Sequence, residues 1–174
     1  MKAIVYTSNT GTTAQYATLL GEKTGLPVYT PAEAKNALAA GDEILYMGWL
    51  MAAGVQGYKA AAKQYKIAAV CAVGMGANGA QTEEVRQKNA LPEELPLFTL
   101  QGGLQRKKLH GLYKLMINMV SGAAEKSLLQ KKNRTPEDEV MLKMLHDGAN
   151  LVKPESLQPV LDWYAAQQGQ AQGR

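Results

Sequence analysis

A chain of 174 residues that is 46% hydrophobic and 20% charged has the length and composition of a single globular domain, which we assign to residues 1–174. Its one cysteine excludes an intramolecular disulfide and a cysteine metal cluster, and its two histidines are too few for a metal site without carboxylate help. The net charge of +4 is mild, no apolar run approaches the ~18 residues of a membrane-spanning helix, and Met1 leads directly into a predicted strand, so we predict a cytoplasmic protein.

The chain opens with a predicted strand that runs into a hydroxyl-rich turn. Residues 2–6 are short, β-branched and almost continuously apolar, as in a strand buried on both faces. The turn that follows consists of Thr7, Ser8, Asn9, Thr10, Gly11, Thr12 and Thr13. A helical pattern then covers residues 14–24 and ends before Gly25 and Pro27. Because the first N–H groups of a helix have no intrahelical partners and lie at the positive end of its dipole, this arrangement predicts a phosphate site.

The side chains of the turn indicate which kind of phosphate ligand it can bind. The turn lacks the lysine of a nucleotide-triphosphate loop and the three spaced glycines of a dinucleotide fingerprint. We therefore expect it to bind a terminal phosphomonoester through neutral donors alone. The alternative is a helix cap rich in Ser and Thr that has no ligand, since such residues are common caps.

Strand and helix patterns alternate after the turn. Strands are predicted over residues 27–30, 43–48, 67–73 and 95–100, and helices over residues 31–40, 58–65 and 82–89. Thr82 is the predicted cap of the last of these helices. Cys71 lies in the most apolar strand, so we expect a small core residue rather than a nucleophile. The alternation is typical of an α/β protein whose parallel sheet carries helices on both faces.

The carboxyl-terminal third is predicted to be mostly helical. A helical insertion over about residues 104–148 carries a wide apolar face on residues 109–120, beside Lys107, Lys108 and Lys114. Pro136 opens a second helix within it, a final helix covers residues 157–166, and residues 167–174 are predicted to fray. The basic residues lack the interleaved aromatic side chains of a strand-binding surface, so we predict no nucleic-acid partner.

The segment Ser8-Asn9-Thr10-Gly11-Thr12-Thr13 resembles the phosphate loop of the flavodoxins, S/T-x-T-G-x-T. The resemblance implies a flavodoxin-like, doubly wound α/β fold with a five-stranded parallel sheet of order 2-1-3-4-5. It also implies that FMN is the cofactor, with its phosphate in the turn, and that the protein acts in electron transfer or as a flavin-dependent oxidoreductase. Its partner would then be a redox protein, a quinone or a small-molecule substrate.

Two uncharged segments complete the predicted cofactor site, because ligands of such sheets lie beyond the carboxyl ends of strands one, three and four. They are residues 48–57 and residues 74–81. Trp49 is expected either to stack on the flavin ring or to cover the core at its rim. Met75 either contacts the flavin or packs within its loop, and Asn78 bonds either the ring edge or its own turn. The remaining predicted FMN contacts are Gly48, Leu50, Met51, Gly74 and Gly76. No carboxylate or histidine lies in these segments, so we assign no catalytic residue.

The segment of residues 97–122 resembles the insertion of the menaquinone-dependent protoporphyrinogen oxidases, flavodoxin-fold FMN enzymes of haem synthesis. Gly102, Gly103 and Leu104 form the turn of that motif, and a Met-rich helix leads to Ser121 and Gly122, although Ala123 stands where that family has a second glycine. The resemblance implies a quinone acceptor and a peripheral membrane contact through the helix of residues 107–120. The alternative for this helix is packing with solvated lysines. A flavodoxin-like binding domain that performs no catalysis is the third class of function left open.

Overall fold

The computed structural model describes residues 1–105 and 111–172. Its centre is a parallel sheet of the order β2-β1-β3-β5-β6. The strands of this sheet are β1 (Ala3–Thr7), β2 (Val28–Tyr29), β3 (Glu43–Met51), β5 (Lys66–Gly74) and β6 (Leu97–Gln101). The short strand β4 (Gly54–Val55) pairs antiparallel with the end of β3. The predicted α/β class with a parallel sheet is confirmed.

Helices connect the strands and extend the chain beyond the sheet. They are α1 (Thr12–Thr24), α2 (Pro31–Ala37), α3 (Tyr58–Gln64), α4 (Thr82–Asn89), α5 (Gly111–Leu129), α6 (Pro136–Asp147) and α7 (Gln158–Gln172). A 3-10 helix over Pro154–Leu157 precedes α7. A separate two-stranded ribbon joins β7 (Gly103–Leu104) to β8 (Ala149–Asn150) in antiparallel pairing.

Apolar side chains lie on both faces of the sheet, which is why its strands read as continuous apolar runs rather than as alternating ones. One face buries Ile44 and Tyr46 against α2, α3 and α4. The other buries Leu45 and Met47 against α1 and α7. Because successive side chains of a strand point to opposite faces, neighbouring residues of β3 belong to different cores.

Two strands and one helix around the predicted site are longer than their sequence patterns indicate. Strand β3 continues to Met51 instead of ending at residue 48, and β5 continues to Gly74. Residues 48–57 are therefore a strand end and a hairpin, not the predicted loop, because β4 pairs with residues 50 and 51. Helix α1 begins at Thr12, two residues before the predicted start at residue 14.

Three further expectations at helix ends are wrong. Thr82 does not cap α4, because Gln81 holds that position in a left-handed conformation and the Thr82 hydroxyl donates to the carbonyl of Gly79. Helix α2 ends at Ala37 rather than near residue 40. The predicted frayed tail is helical through Gln172, since its alanines and glutamines are good helix formers.

Helices α5 and α6 occupy most of the predicted insertion and lie in the chain between β7 and β8. The predicted basic residues Lys107 and Lys108 and the start of the apolar face at Leu109 lie outside the described residues. In the part of the chain that the structure describes, no helix is both long enough and apolar enough to cross a membrane.

Candidate functional site

A small cavity lies at the carboxyl ends of the central strands, where β1 has β2 on one side and β3 on the other. In parallel sheets, ligands bind outside the strand ends at the point where the strand order reverses. The cavity measures about 80 Å³. It is lined by residues of the turn after β1, of the ends of β3 and β5, and of β7, namely Asn9, Thr10, Thr12, Trp49, Leu50, Val73, Gly74, Met75, Gly103 and Leu104. The three predicted segments therefore meet at one place.

The turn between β1 and α1 leaves the amino end of the helix without a side-chain cap. Gly11 occupies the capping position with φ 97°, a left-handed conformation that glycine adopts without strain. Ser8 does not cap the helix, because its Oγ accepts a hydrogen bond from the N–H of Gly11 itself at 3.1 Å. The residue types of the turn also allowed a Ser or Thr side chain to cap the helix. The structure shows no such side-chain cap. The first N–H groups of α1 point into the turn with the positive end of the helix dipole.

The hydroxyl groups of the turn differ in their partners. Thr10, Thr12 and Thr13 are buried, and Oγ1 of Thr13 has no hydrogen-bond partner among the described residues. A buried hydroxyl without a partner costs about 1–3 kcal/mol, so such atoms are rare unless a ligand completes them. Thr7 is different, because its Oγ1 lies 2.7 Å from the phenol oxygen of Tyr46.

Tyr46 fixes the hairpin beside the turn. Its phenol donates to the carbonyl of Gln56 at 2.7 Å and contacts Oγ1 of Thr7, so Thr7 is engaged within the protein. Burial raises the pKa of Tyr46 to about 12, and the hydrogen bond from Thr7 offsets part of that rise. Both groups therefore serve the scaffold at neutral pH.

The residues predicted at the end of β3 divide into two groups. Trp49 and Leu50 line the cavity, with Trp49 opposite Val73 in the sheet. Gly48 instead permits the hairpin to fold back, because a Cβ there would lie 2.5 Å from Cγ1 of Val55. Met51 pairs with Gly54 in the hairpin and does not line the cavity.

The residues predicted after β5 divide in the same way. Gly74 and Met75 line the cavity, whereas Gly76 and Asn78 do not. Asn78 accepts a hydrogen bond from the N–H of Gln101 at 2.7 Å and donates to Oγ of Ser156 at 2.9 Å. Its amide thus joins this loop to β6 and to the 3-10 helix, rather than bonding its own turn as the alternative for this residue expected.

Reasoning from sequence missed one wall of the cavity. We call Gly103, Leu104, Ala149 and Asn150, which form β7 and β8, the strap. Leu104 is 7% exposed and packs with Met75, Ala149 and Leu151. The signal in the sequence was the glycine pair 102–103 directly after a strand, since such a pair permits close backbone approach. This glycine pair does not predict which part of the fold the following residues contact.

The cavity lining has no charged side chain. Burial raises the pKa of Cys71, which is fully buried in β5, so this thiol is a core group and not a nucleophile. Among the described residues, no group of three His, Cys, Asp or Glu side chains is placed to hold a metal ion. Polar recognition in this cavity therefore depends on hydroxyl and backbone groups.

Two other depressions matter for comparison. A shallow groove of about 390 Å³ reaches the outer side of the turn, between the residues at 6–11 and the start of α2 at Thr30 and Pro31. A larger cavity, of about 710 Å³, lies at the amino ends of the strands, on the opposite side of the sheet from the turn. Its charged groups include Glu43 and Lys66, which pair with each other at 2.9 Å. We place the functional site at the smaller cavity because the turn before the uncapped helix α1 and the other two predicted segments all contribute to its lining.

Comparison of the chain with protein-family models, with curated proteins and with solved structures found no match.

Proposed function

We propose that this chain is a flavodoxin-like FMN-binding protein that acts in electron transfer or as a flavin-dependent oxidoreductase. The order of the parallel strands supports the proposal, because it brings the turn after β1 to the reversal point of the sheet. The residue types of the turn support it too, since Ser8, Thr10, Gly11 and Thr13 match the phosphate-loop motif.

The observation that carries the proposal is the buried Oγ1 of Thr13, which has no partner among the described residues. It lies in the first turn of α1, beside N–H groups that no side chain caps. A phosphate oxygen would accept from this hydroxyl and from those N–H groups at once. Such charge-assisted bonds contribute about 1.5–3 kcal/mol each, so binding needs no cationic side chain.

The walls of the cavity suit a planar apolar ring in character. Trp49, Leu50 and Met75 offer apolar and aromatic surface, and Gly74 lets the backbone approach the ring edge. When bound, FMN supplies one- or two-electron transfer at its flavin ring, which the protein side chains cannot perform. The residues of the chain would bind the phosphate, orient the ring and exclude water. No ionisable side chain lines the cavity, so we assign no general acid or base.

The test uses Thr13→Val, which replaces the hydroxyl by a methyl group of similar shape. The ligand-free protein should gain about 1 kcal/mol in unfolding free energy, because an unpaired buried hydroxyl disappears. FMN affinity should fall about 10- to 100-fold, while riboflavin, which lacks the phosphate, should be unaffected. Denaturant titration and quenching of flavin fluorescence measure the two effects.

Thr18→Val is the matched control, because Thr18 lies on the exposed side of the same helix. It should change neither quantity. FMN should also bind more tightly than FAD, whose second phosphate and adenosine have to leave the turn. Equal affinity of the unmodified protein for FMN and riboflavin would contradict the phosphate assignment.

The exposed part of α5 favours a quinone-linked oxidase as a second candidate. Met119 is 73% exposed on this helix, and Lys114 and Lys126 are exposed on it as well. Apolar and basic side chains together are typical of a helix that meets an anionic membrane, where quinones dissolve. Turnover of protoporphyrinogen with a quinone acceptor separates this candidate from an electron carrier. Purification without flavin absorbance at about 450 nm would instead favour a domain that performs no catalysis.

A further inference from the structure

Leu104 fills the space beside the phosphate turn. It is 7% exposed, packs with Met75 and Leu151, and lines the cavity, which measures only about 80 Å³. Sites that bury a drug-sized ligand measure about 300–1,000 Å³. A tricyclic ring therefore enters only if this wall moves.

The main chain at Gly102, directly before the strap, runs close to the turn and to β5. The N–H of Gly102 donates to the carbonyl of Gly74 at 2.8 Å. A Cβ on Gly102 would lie 2.5 Å from Cγ1 of Val73 and 2.9 Å from Oγ1 of Thr12. The chain thus crosses the crevice between the turn and β5, and it places Leu104 against Met75.

Among the residues that the structure describes, few hydrogen bonds hold the strap in place. Each of its strands is two residues long, and a two-stranded ribbon is marginally stable by itself. Leu151 donates its N–H to the carbonyl of Gly102 at 3.1 Å, and the exposed Asn150 amide donates to Oε1 of Gln15 at 2.9 Å. Gly103, where the chain enters β7, and Gly148, directly before β8, have positive φ, 87° and 76°. The strap can therefore open without breaking the parallel sheet.

The phosphate turn does not need this opening. Ser8, Asn9, Thr10 and Gly11 line the shallow groove on the outer side of the turn, about 390 Å³ in volume. A phosphate group can approach from there while Leu104 stays in place.

We propose that Leu104 is the residue that sets the size of the ring this site admits. The phosphate of a ligand binds the turn first, and the ring enters when the strap carries Leu104 out of the cavity. This inference rests on the proposed FMN function and deepens it by naming the residue that controls ring entry.

The test compares Leu104→Ala with the unmodified protein by stopped-flow quenching of FMN fluorescence. Truncation should raise the association rate and the affinity for FMN at least tenfold, because the ring no longer waits for the strap. Ribitol 5-phosphate, which has the chain and phosphate of FMN without the ring, is the second probe, measured by competition and by thermal shift. Its affinity should stay the same in both proteins.

Two more variants control the experiment. Leu91→Ala truncates another buried leucine, 6% exposed, that packs in the core on the opposite face of the sheet and should leave both ligands unaffected. Asn150→Ala removes the bond from the strap to α1 and keeps Leu104, so it should also accelerate FMN association. It tests the opening even if Leu104→Ala does not fold.

The outcomes separate the two proposals. FMN association at the same rate in all four proteins would overturn the role of Leu104 and leave the FMN function intact. Binding of neither FMN nor ribitol 5-phosphate by any of them would overturn the FMN function and the inference with it. If the unmodified protein and Leu104→Ala both bind ribitol 5-phosphate but only Leu104→Ala binds FMN, the inference is supported.

Discussion

Tyr46 shows how one side chain holds the scaffold of the site. Its phenol is fully buried and bonds the Gln56 carbonyl and the Thr7 hydroxyl, so it joins β1 to the hairpin after β3. Gly57 must be a glycine beside it, because φ is 81° there and a Cβ would overlap the phenol oxygen. The interaction persists only while the phenol is protonated.

Because of Tyr46, we expect the unfolding free energy of the protein to fall at alkaline pH. The pKa of Tyr46 is raised from 10 to about 12, so its contribution is present in full below pH 10 and is lost as pH rises through about 12. A shift of this size corresponds to about 2–3 kcal/mol. We expect Tyr46→Phe to lower the unfolding free energy at pH 7 by about 1–2 kcal/mol. The difference between the two proteins should shrink between pH 10 and pH 12 in urea titrations, and a constant difference would refute the assignment.

The hairpin of β3 and β4 is an element whose local geometry is unfavourable. Ala52 and Ala53 both have positive φ, 46° and 59°, as a two-residue primed turn requires. Each costs roughly 1–2 kcal/mol because neither is glycine or asparagine. Asn89 of α4 compensates, since its buried amide donates to the carbonyl of Ala53 and accepts from the N–H of Val55. A distant helix thus stabilises the wall that carries Trp49.

A substitution in this hairpin and one in the helix that supports it should act in opposite directions on the unfolding free energy. Asn89→Ala leaves buried backbone groups unpaired and should cost about 2–4 kcal/mol of unfolding free energy, whereas Lys88→Ala, on the exposed side of α4, should cost little. Ala52→Asn should stabilise by about 0.5–1 kcal/mol, because asparagine tolerates the left-handed conformation. Thermal and denaturant unfolding measure all three. A destabilised Ala52→Asn variant would mean that the turn does not have this geometry.

The whole molecule carries a net charge of +4, part of which lies on the exposed face of α5. Lys114 and Lys126 are exposed there together with Met119. Basic residues near an anionic surface contribute about 1 kcal/mol each, and salt screens this attraction. We therefore propose α5 as the element that makes a peripheral membrane contact.

Sedimentation with liposomes tests this face. The protein should pellet with anionic vesicles at low salt, stay in the supernatant with neutral vesicles, and be released at high salt. The double variant Lys114→Gln/Lys126→Gln should bind at least tenfold more weakly, because about 2 kcal/mol is removed. Lys35→Gln/Lys59→Gln, which removes the same charge from α2 and α3, should bind as the unmodified protein does. If both double variants lose vesicle binding equally, the binding depends on net charge alone and not on α5.

The amino-acid sequence by itself determined the local features of this protein. Alternating strand and helix patterns predicted the α/β class, and the apolar run of residues 2–6 predicted a strand buried on both faces. The residue types at 7–13 predicted a tight turn before a helix, and Gly11 holds the positive φ that such a turn needs. These features were readable because backbone geometry and hydrophobic periodicity depend on neighbours in the chain.

Only the tertiary structure decided which of the predicted site residues face the cavity. Thr7 is bonded to Tyr46, Asn78 to Ser156, and Gly48 makes room for the hairpin, so none of the three is placed by its own sequence neighbourhood. The buried hydroxyl of Thr13 and the position of Leu104 depend on chain segments far apart in sequence. Contacts of this kind leave no local periodicity, because their energy comes from packing and hydrogen bonds that exist only after the sheet and the strap have assembled.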